Sequence, residues 1–333
     1  MRRLAVSLFT LGCMSLLLVV APAAAWADNG PHAMGMGATT DRCAACHRAH
    51  TAQAPYLLRE SSEEALCYTC HGSGAGGSSL DVADGAGYSS HERTGAASAL
   101  RGGGFKFALI DSSKPKGNYV SGRLVSGEIP TLGTGAATTS AHTVDSSMQV
   151  AWGNGAFSAT ANNGKEVSLR CGSCHDPHGN GNYRILRPIP QESGVKTEVK
   201  IPDVTEKEYT TTNYWQSWET KNPQFRYQIS SWCATCHTRL LGESGSGNTF
   251  TGDAVFAYRH RSLYTQEEYE KLEKETPNKT KPSCIQCHVA HGSDAAMGGY
   301  ATTVNYPDGK SAGSNSFLLR ADNRGVCQMC HNK

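Results

Sequence analysis

The sequence predicts a mostly irregular fold of loops, short α-helices and one small β-hairpin, wrapped around a linear array of six covalently bound groups. The 333 residues include 36 glycines, and 38% of them are hydrophobic, which is too little for a large aliphatic core. Twelve of the thirteen cysteines lie in one pattern, Cys-x-x-Cys-His, which occurs six times. Short stretches around these motifs also repeat. The bound groups must therefore supply much of the core.

Cys-x-x-Cys-His is the attachment signal for a c-type haem, in which two thiols bind the porphyrin and the histidine binds the iron. A zinc site would need four converging ligands per metal, and a disulfide framework would show varied spacings. We therefore predict six covalent haem c groups. The cysteines are Cys43, Cys46, Cys67, Cys70, Cys171, Cys174, Cys233, Cys236, Cys284, Cys287, Cys327 and Cys330; the proximal iron ligands are His47, His71, His175, His237, His288 and His331.

The first, third and fifth motifs carry a second histidine three residues after the proximal one. His175 and His178, for example, lie on the same side of a helical turn, so His178 is expected to reach a second iron nearby. Seven histidines remain for six distal positions. We expect His50, His178 and His291 to bind the second, fourth and sixth irons, and His32, His142 and His260 the first, third and fifth. His91 is the spare and could replace His32 or His142.

Three haem-pair units follow from the alternation of motifs with and without the second histidine. Similar words accompany them, at residues 55–59, 183–187 and 316–320. We predict a signal peptide at 1–27, a first unit at 28–95, a second unit with haem-free insertions at 96–240 and a third unit at 241–333. Such repeats favour a quasi-linear array.

The first 27 residues indicate export. Arg2 and Arg3 precede an apolar run that ends near Ala25-Trp26-Ala27, as in a secretory signal. Cys13 does not suggest lipidation, because Thr10 replaces the expected aliphatic residue. No other apolar run is long enough to span a bilayer. We expect a secreted protein, in the periplasm or at the cell surface and outside it.

The formal charge of +2 falls to about zero when Arg2 and Arg3 leave, and six haems add up to about twelve propionate charges. This argues against a nucleic-acid partner, which would need a basic patch.

Three further elements lie between the motifs. Residues 105–110 and 119–125 alternate like strands around a turn at 114–118, which predicts the β-hairpin. The aromatic residues between 214 and 232 are expected to cover a haem, and a binding patch for a partner or a sugar is the alternative. Thr265 and Glu268 form a capping box that begins a helix over 265–275, before Pro277.

Enough histidines are present to saturate all six irons, so no substrate could bind metal. We therefore expect electron transfer and no enzymatic activity. Bis-histidine ligation gives lower potentials than histidine/methionine ligation, and none of the seven methionines is needed.

The residues Cys43–His50, Cys171–His178 and Cys284–His291, alternating with simple motifs, resemble those of the doubled-CxxCH multihaem c-type cytochromes of metal-respiring bacteria. This resemblance covers all three units but neither insertion. It implies extracellular electron transfer to or from other redox proteins. One six-haem branch of that family polymerises into filaments, in which a histidine from one subunit binds a haem of the next. The resemblance thus implies self-association, with His32 on its glycine-rich arm as the exchanged ligand.

Two other functions fit the same residues. A monomeric periplasmic shuttle, or a subunit that feeds a porin-type conduit, would have the same haems without polymerising. An oxidoreductase would keep one iron open.

Overall fold

The computed structural model describes residues 30–32, 40–90, 93–110, 118–120, 123–126, 132–151, 154, 165–202, 223–238, 283–296, 317–322 and 325–328. The signal segment, the helix expected over 265–275 and the aromatic residues 214–218 lie outside these ranges. So do His91, His260 and His331.

Six short α-helices occur in the described ranges, and each contains at least the first cysteine of a haem motif. They are α1 (Thr40–Cys46), α2 (Glu63–His71), α3 (Cys171–Cys174), α4 (Pro223–Ala234), α5 (Cys284–Cys287) and α6 (Gly325–Gln328). Helix α2 begins after Ser62, whose hydroxyl accepts a hydrogen bond from the Ala65 amide at 3.0 Å, and its first turn carries Glu63 and Glu64. Both features stabilise a helix N-terminus.

The strands are short and form small antiparallel sheets. Their bounds are β1 (Leu80–Asp81), β2 (Ala86–Tyr88), β3 (Ala96–Ala99), β4 (Phe107–Ile110), β5 (Asn118–Val120), β6 (Arg123–Ser126), β7 (Leu132–Ala137), β8 (Ser140–Ala141), β9 (Met148–Ala151), β10 (Lys165–Ser168) and β11 (Gly292–Ser293). Strands β1, β2 and β3 form one sheet, while β4 pairs with β7, β5 with β6, β8 with β11 and β9 with β10. The β8–β11 pair brings Ala141 opposite Gly292, beside the fifth motif.

The predicted fold class is confirmed in its coarse form, a largely irregular chain with short helices and small sheets, but the predicted hairpin is wrong. Strand β4 pairs with β7 and not with residues 119–125, which divide into β5 and β6 and pair with each other. Only two residues separate β5 from β6, and one is Gly122. That is the loop length of a tight hairpin, so the local pairing replaces the longer one that we predicted.

A small apolar cluster lies beside the third and fourth motifs. Its buried members are Tyr183, Leu186, Val199, Ile201, Phe225 and Ile229, with Trp232 and Ile285 packed against it. Phe225 is fully buried, and its ring meets that of Tyr183 edge-on at 4.8 Å. Phe225, one of the aromatic residues predicted to cover a haem, therefore packs within this cluster.

None of the helices in the described ranges has both the length and the apolar character needed to cross a bilayer.

Candidate haem-binding sites

One helical turn arranges each motif. The amide of His47 donates to the carbonyl of Cys43 at 2.9 Å, and the same bond joins His175 to Cys171 and His288 to Cys284 at 3.0 Å. Residues at positions i, i+3 and i+4 of a helical turn share one face. Both thiols and the imidazole therefore lie on one side of the turn, where a single porphyrin can bind all three.

A backbone carbonyl orients the imidazoles of four proximal histidines. The Nδ1 atoms of His47, His71, His175 and His288 lie 2.8, 3.2, 2.9 and 2.9 Å from the carbonyl oxygens of Tyr56, Leu80, Arg184 and Phe317. Because a carbonyl can only accept, Nδ1 carries the proton and Nε2 keeps its lone pair. Metal-binding histidines usually have such a partner, which fixes the ring and raises its basicity.

Three of the expected distal histidines have the same arrangement. The Nδ1 atoms of His32, His142 and His291 bond to the carbonyls of Pro177, Ala290 and Gly103 at 2.8, 2.6 and 3.1 Å. Each of these carbonyls lies more than a hundred residues away in the sequence, so tertiary structure holds these rings.

A left-handed turn presents the carbonyl to the proximal histidine of each odd-numbered motif. The residue pairs Tyr56-Leu57, Arg184-Ile185 and Phe317-Leu318 all have φ between 50° and 62°. Such a backbone costs about 1–2 kcal/mol per residue and persists where the surrounding structure determines it.

The rest of this turn is the same in all three copies. The second residue of each pair accepts, at 2.8 Å, a hydrogen bond from the amide that follows the proximal histidine. The next residue, a leucine, forms an isolated β-bridge with that histidine: Leu58 with His47, Leu186 with His175 and Leu319 with His288. The three repeated words of the sequence are thus one structural unit. The word at 316–320, which precedes the last motif in the sequence, serves the fifth motif.

Four pairs of histidine rings lie opposite each other at nearly one distance. The ring centres of His47 and His178 are 6.3 Å apart, those of His71 and His32 6.2 Å, those of His175 and His291 6.4 Å and those of His237 and His142 6.3 Å. In each pair, one member is a proximal histidine and the other is an expected distal histidine.

These separations fit a haem iron between the two rings. An imidazole–metal bond is about 2.0–2.1 Å long and the ring centre lies about 1.1 Å behind the bonding nitrogen, so two imidazoles on opposite sides of one metal have centres about 6.3 Å apart. The residues of the first four motifs therefore suit bis-histidine haem.

The observed ring pairs differ from the pairing expected from the sequence for these four distal histidines. His178 lies opposite the first proximal histidine and not the fourth, and His291 lies opposite the third and not the sixth. His32 lies opposite the second and not the first, and His142 opposite the fourth and not the third. The spacing predicts that His178 serves an iron other than that of His175, and long-range packing decides which histidine it faces. His50 is exposed.

Burial keeps several of these imidazoles neutral, which is the form that binds metal. Desolvation lowers the pKa values of His71, His142, His175 and His288, although the carbonyl at each Nδ1 opposes the shift. It lowers the pKa of His291 to about 3, with a contribution from nearby His175. Burial likewise raises the pKa of the Cys174 thiol to about 12.

Helix contacts join successive motifs across the unit boundaries expected from the sequence. Helix α2 packs against α3, and α4 against α5. The Cys67 thiol lies next to that of Cys171 and the Cys233 thiol next to that of Cys284, and Glu63 accepts a hydrogen bond from the Gly172 amide. The second motif thus adjoins the third and the fourth adjoins the fifth. The unit boundaries themselves stay a prediction.

Residues 36–76, which contain the first two motifs, match the family model described as "Doubled CXXCH motif". This part of the chain is thus similar to a doubled CXXCH domain. Such a domain indicates a multihaem c-type cytochrome, and proteins of that class are located outside the cytoplasm. No curated protein and no solved structure matched the chain.

The sequence did not indicate the backbone groups that hold the histidines of the first two motifs and of the later motifs. The carbonyls of Leu80 and Gly103 belong to segments that contain no haem motif. A carbonyl leaves no signature in a sequence, since every residue has one. Only the repeated words, with their leucine and arginine, pointed to part of this arrangement.

Proposed function

We propose that the protein is an exported hexahaem cytochrome that conducts electrons along closely packed bis-histidine haems and has no substrate-binding iron. The observation that carries this proposal is the set of four histidine pairs at 6.2–6.4 Å. Two imidazoles at that separation fill both axial positions of an iron, which leaves outer-sphere electron transfer as the available reaction.

Each part of the chain has a definite role in this proposal. The bound haem supplies one-electron chemistry at its iron. The two histidines exclude water and small molecules from the metal, and the carbonyl at Nδ1 makes the imidazole a stronger donor, which favours the ferric state. The contacts of α2 with α3 and of α4 with α5 keep neighbouring motifs close enough for transfer from one to the next.

Intact mass and spectroscopy of the secreted protein test the proposal. We expect the mass of the processed chain plus six haems, entirely low-spin ferric spectra and no binding of carbon monoxide after reduction. Fewer than six haems would overturn the haem count. A high-spin signal or carbon monoxide binding in the native protein would instead favour an oxidoreductase with an open haem.

A filament subunit is a second candidate function, and the direction of the internal repeat favours it. His178 of the second repeat lies opposite His47 of the first, and His291 of the third lies opposite His175 of the second. If this arrangement continued from one molecule to the next, His50, the equivalent residue of the first repeat, would lie opposite His288 of the third repeat in another molecule. No other described histidine lies opposite His288 at a comparable distance.

The exposed groups around His50 also support this candidate. Tyr56 and Leu57 of the first left-handed turn are 75% and 52% exposed, whereas Ile185 and Leu318, the counterparts of Leu57, are half-buried. An exposed apolar turn at the start of a repeat array is a surface that a further repeat could cover. In this arrangement His50, and not His32, would be the exchanged ligand, since His32 lies opposite His71 of its own chain.

Negative-stain imaging and light scattering at high concentration test the filament. We expect polymers from the native protein, none from His50→Ala, and polymers again from the control Thr51→Ala, which changes the exposed neighbour. Native protein that stays monomeric would favour a periplasmic shuttle, and stoichiometric purification with an outer-membrane barrel would favour a conduit subunit. Polymers of His50→Ala would exclude His50 as the exchanged ligand.

A further inference from the structure

Residues 102–105, in the haem-free segment before β4, make three contacts with His291. The Gly102 carbonyl accepts a hydrogen bond from the His291 amide at 2.7 Å, and the Gly103 carbonyl accepts one from Nδ1 at 3.1 Å. The Phe105 ring is stacked on the imidazole, with 4.4 Å between the ring centres and 23° between the planes. The imidazole therefore has little freedom to rotate about its own axis.

The opposing ring is held independently. His175 lies 6.4 Å from His291 across the proposed iron site, and its Nδ1 bonds to the Arg184 carbonyl at 2.9 Å. That carbonyl belongs to the left-handed turn of the second repeat and not to the segment around Phe105. Two separate parts of the chain thus set the two ring planes, and the planes differ by 61°.

This twist divides the four pairs into two classes. The planes of His47 and His178 differ by 18° and those of His71 and His32 by 24°, whereas those of His237 and His142 differ by 50°. The first two pairs are nearly parallel, and the pairs of the third and fourth motifs are strongly twisted.

The angle matters because each imidazole donates electron density from a π orbital perpendicular to its own plane. Parallel rings donate into the same iron d orbital and separate it in energy from the second d orbital of the same symmetry type. Crossed rings donate into different d orbitals and leave the two nearly equal. Crossed ligation gives a ferric haem with a highly anisotropic spectrum of large gmax, and it favours the ferrous state relative to parallel ligation. Ligand orientation is thus a control that the chain has over the potential, alongside ligand identity and hydrogen bonding.

We propose that Phe105 is a positioning residue for the third haem: by stacking on His291 it holds that ring twisted against His175, and this gives the third haem a large-gmax signal and a more positive potential than the first and second haems. The proposal rests on the proposed bis-histidine ligation. Because the third motif adjoins the second, electrons that leave the first and second haems would reside preferentially on the third haem.

Electron paramagnetic resonance of the oxidised holoprotein tests this role. In the native protein we expect both rhombic and large-gmax low-spin signals. In Phe105→Ala we expect the large-gmax intensity to fall by the share of one haem, with an equal gain in rhombic or broadened signal. Phe105→Tyr keeps an aromatic ring and should keep the native spectrum. Phe107→Ala removes a nearby phenylalanine that is 42% exposed and should also leave the spectrum unchanged.

A second variant keeps the test decisive if Phe105→Ala loses haem. Phe105→Leu preserves apolar packing but has no ring to stack, so six haems by mass and the same one-haem change are expected. The pair His142–His237, which has no contact with Phe105 among the described residues, should retain its large-gmax signal throughout.

The outcomes separate the two proposals. A native-like spectrum in Phe105→Leu with six haems would overturn the role of Phe105 and leave bis-histidine ligation intact. A native protein without low-spin signals from the first four haems would overturn the ligation itself.

Discussion

Replacement of Gly103 by alanine should destabilise the protein far more than the same change at a glycine with the same φ angle. Gly103 has φ +72°, and a Cβ atom there would collide with the carbonyl oxygen of Gly292 and lie 3.4 Å from the Cβ of Val289. Gly74 also has φ +72°, but a Cβ there would meet no atom within 4 Å. The two positions therefore share the backbone cost and differ only in their surroundings.

The magnitude follows from three contributions. A left-handed alanine costs about 1–2 kcal/mol at either site. At Gly103 the collision adds an overpacking cost of about 1–3 kcal/mol. Separation of the two segments also weakens the bond from His291 Nδ1 to the Gly103 carbonyl, which is worth about 1 kcal/mol. We expect a loss of about 3–6 kcal/mol in Gly103→Ala and about 1–2 kcal/mol in Gly74→Ala.

Guanidinium unfolding of the holoproteins, followed by far-ultraviolet circular dichroism, measures this difference. The transition of Gly103→Ala should lie well below that of Gly74→Ala. Coincident transitions would refute the reasoning, because they would mean that the segment before β4 does not clamp the fifth motif.

Three other predictions test the histidine pairs, the buried charges and the acid response. His178→Ala should convert one rhombic low-spin haem to high spin, whereas His142→Ala should convert one large-gmax haem, because the planes of their ring pairs differ by 18° and 50°. Loss of the same electron paramagnetic resonance signal in both variants would contradict the pairing. Asp81→Asn should lower the free energy of unfolding by about 3 kcal/mol, because it leaves Arg93 buried without its carboxylate at 3.2 Å. Glu60→Gln should lower it by less than about 1 kcal/mol, because its pair with Arg59 is about one-third exposed. Equal losses in denaturant unfolding would contradict this. The pKa of His291 falls from 6.5 in the unfolded state to about 3 in the folded state. Between these pH values the unfolded state binds more protons, so the stability present above pH 6.5 is lost as the pH falls towards 3. An equal free energy of unfolding at pH 7 and pH 4 would contradict this.

Local spacing predicted those parts of the sites that depend on a single turn of chain. The six motifs follow from spacing alone. That His178 would serve an iron other than that of His175 was expected from a helical turn, whereas α3 ends at Cys174 and His175 is extended, with φ −107° and ψ 147°. The same reasoning could not identify the partner of His178. That choice depends on how α2 meets α3, through Glu63 and Gly172, residues 109 positions apart. It depends equally on the carbonyls of Pro177, Ala290 and Gly103, which are far from the histidines they hold. The hairpin prediction failed for a different reason, because residues 118–126 pair with each other across a two-residue connection.

The repeated turn shows why some positions of a site are visible in a sequence and others are not. The residue whose carbonyl holds the imidazole is Tyr56, Arg184 or Phe317, and these three side chains have little in common. Any residue supplies that carbonyl, so only the backbone conformation is constrained.

Two and three positions further on, by contrast, leucine and arginine recur in every copy, and there the side chains take part. The Nε atom of Arg320, which is buried, donates to the carbonyl of Ile285 at 2.8 Å, and the Nε atom of Arg187 donates to that of Gly172 at 2.5 Å. Both carbonyls belong to the residue after the first cysteine of a motif. In the second and third copies the arginine thus ties the left-handed turn to the helix that carries the thiols, whereas Arg59 of the first copy donates to the Thr69 hydroxyl at 3.1 Å. His71 obtains the same support from Leu80 in β1, also nine residues downstream of its histidine, without the turn or the arginine. The second motif therefore has a carbonyl at that place without the repeated word.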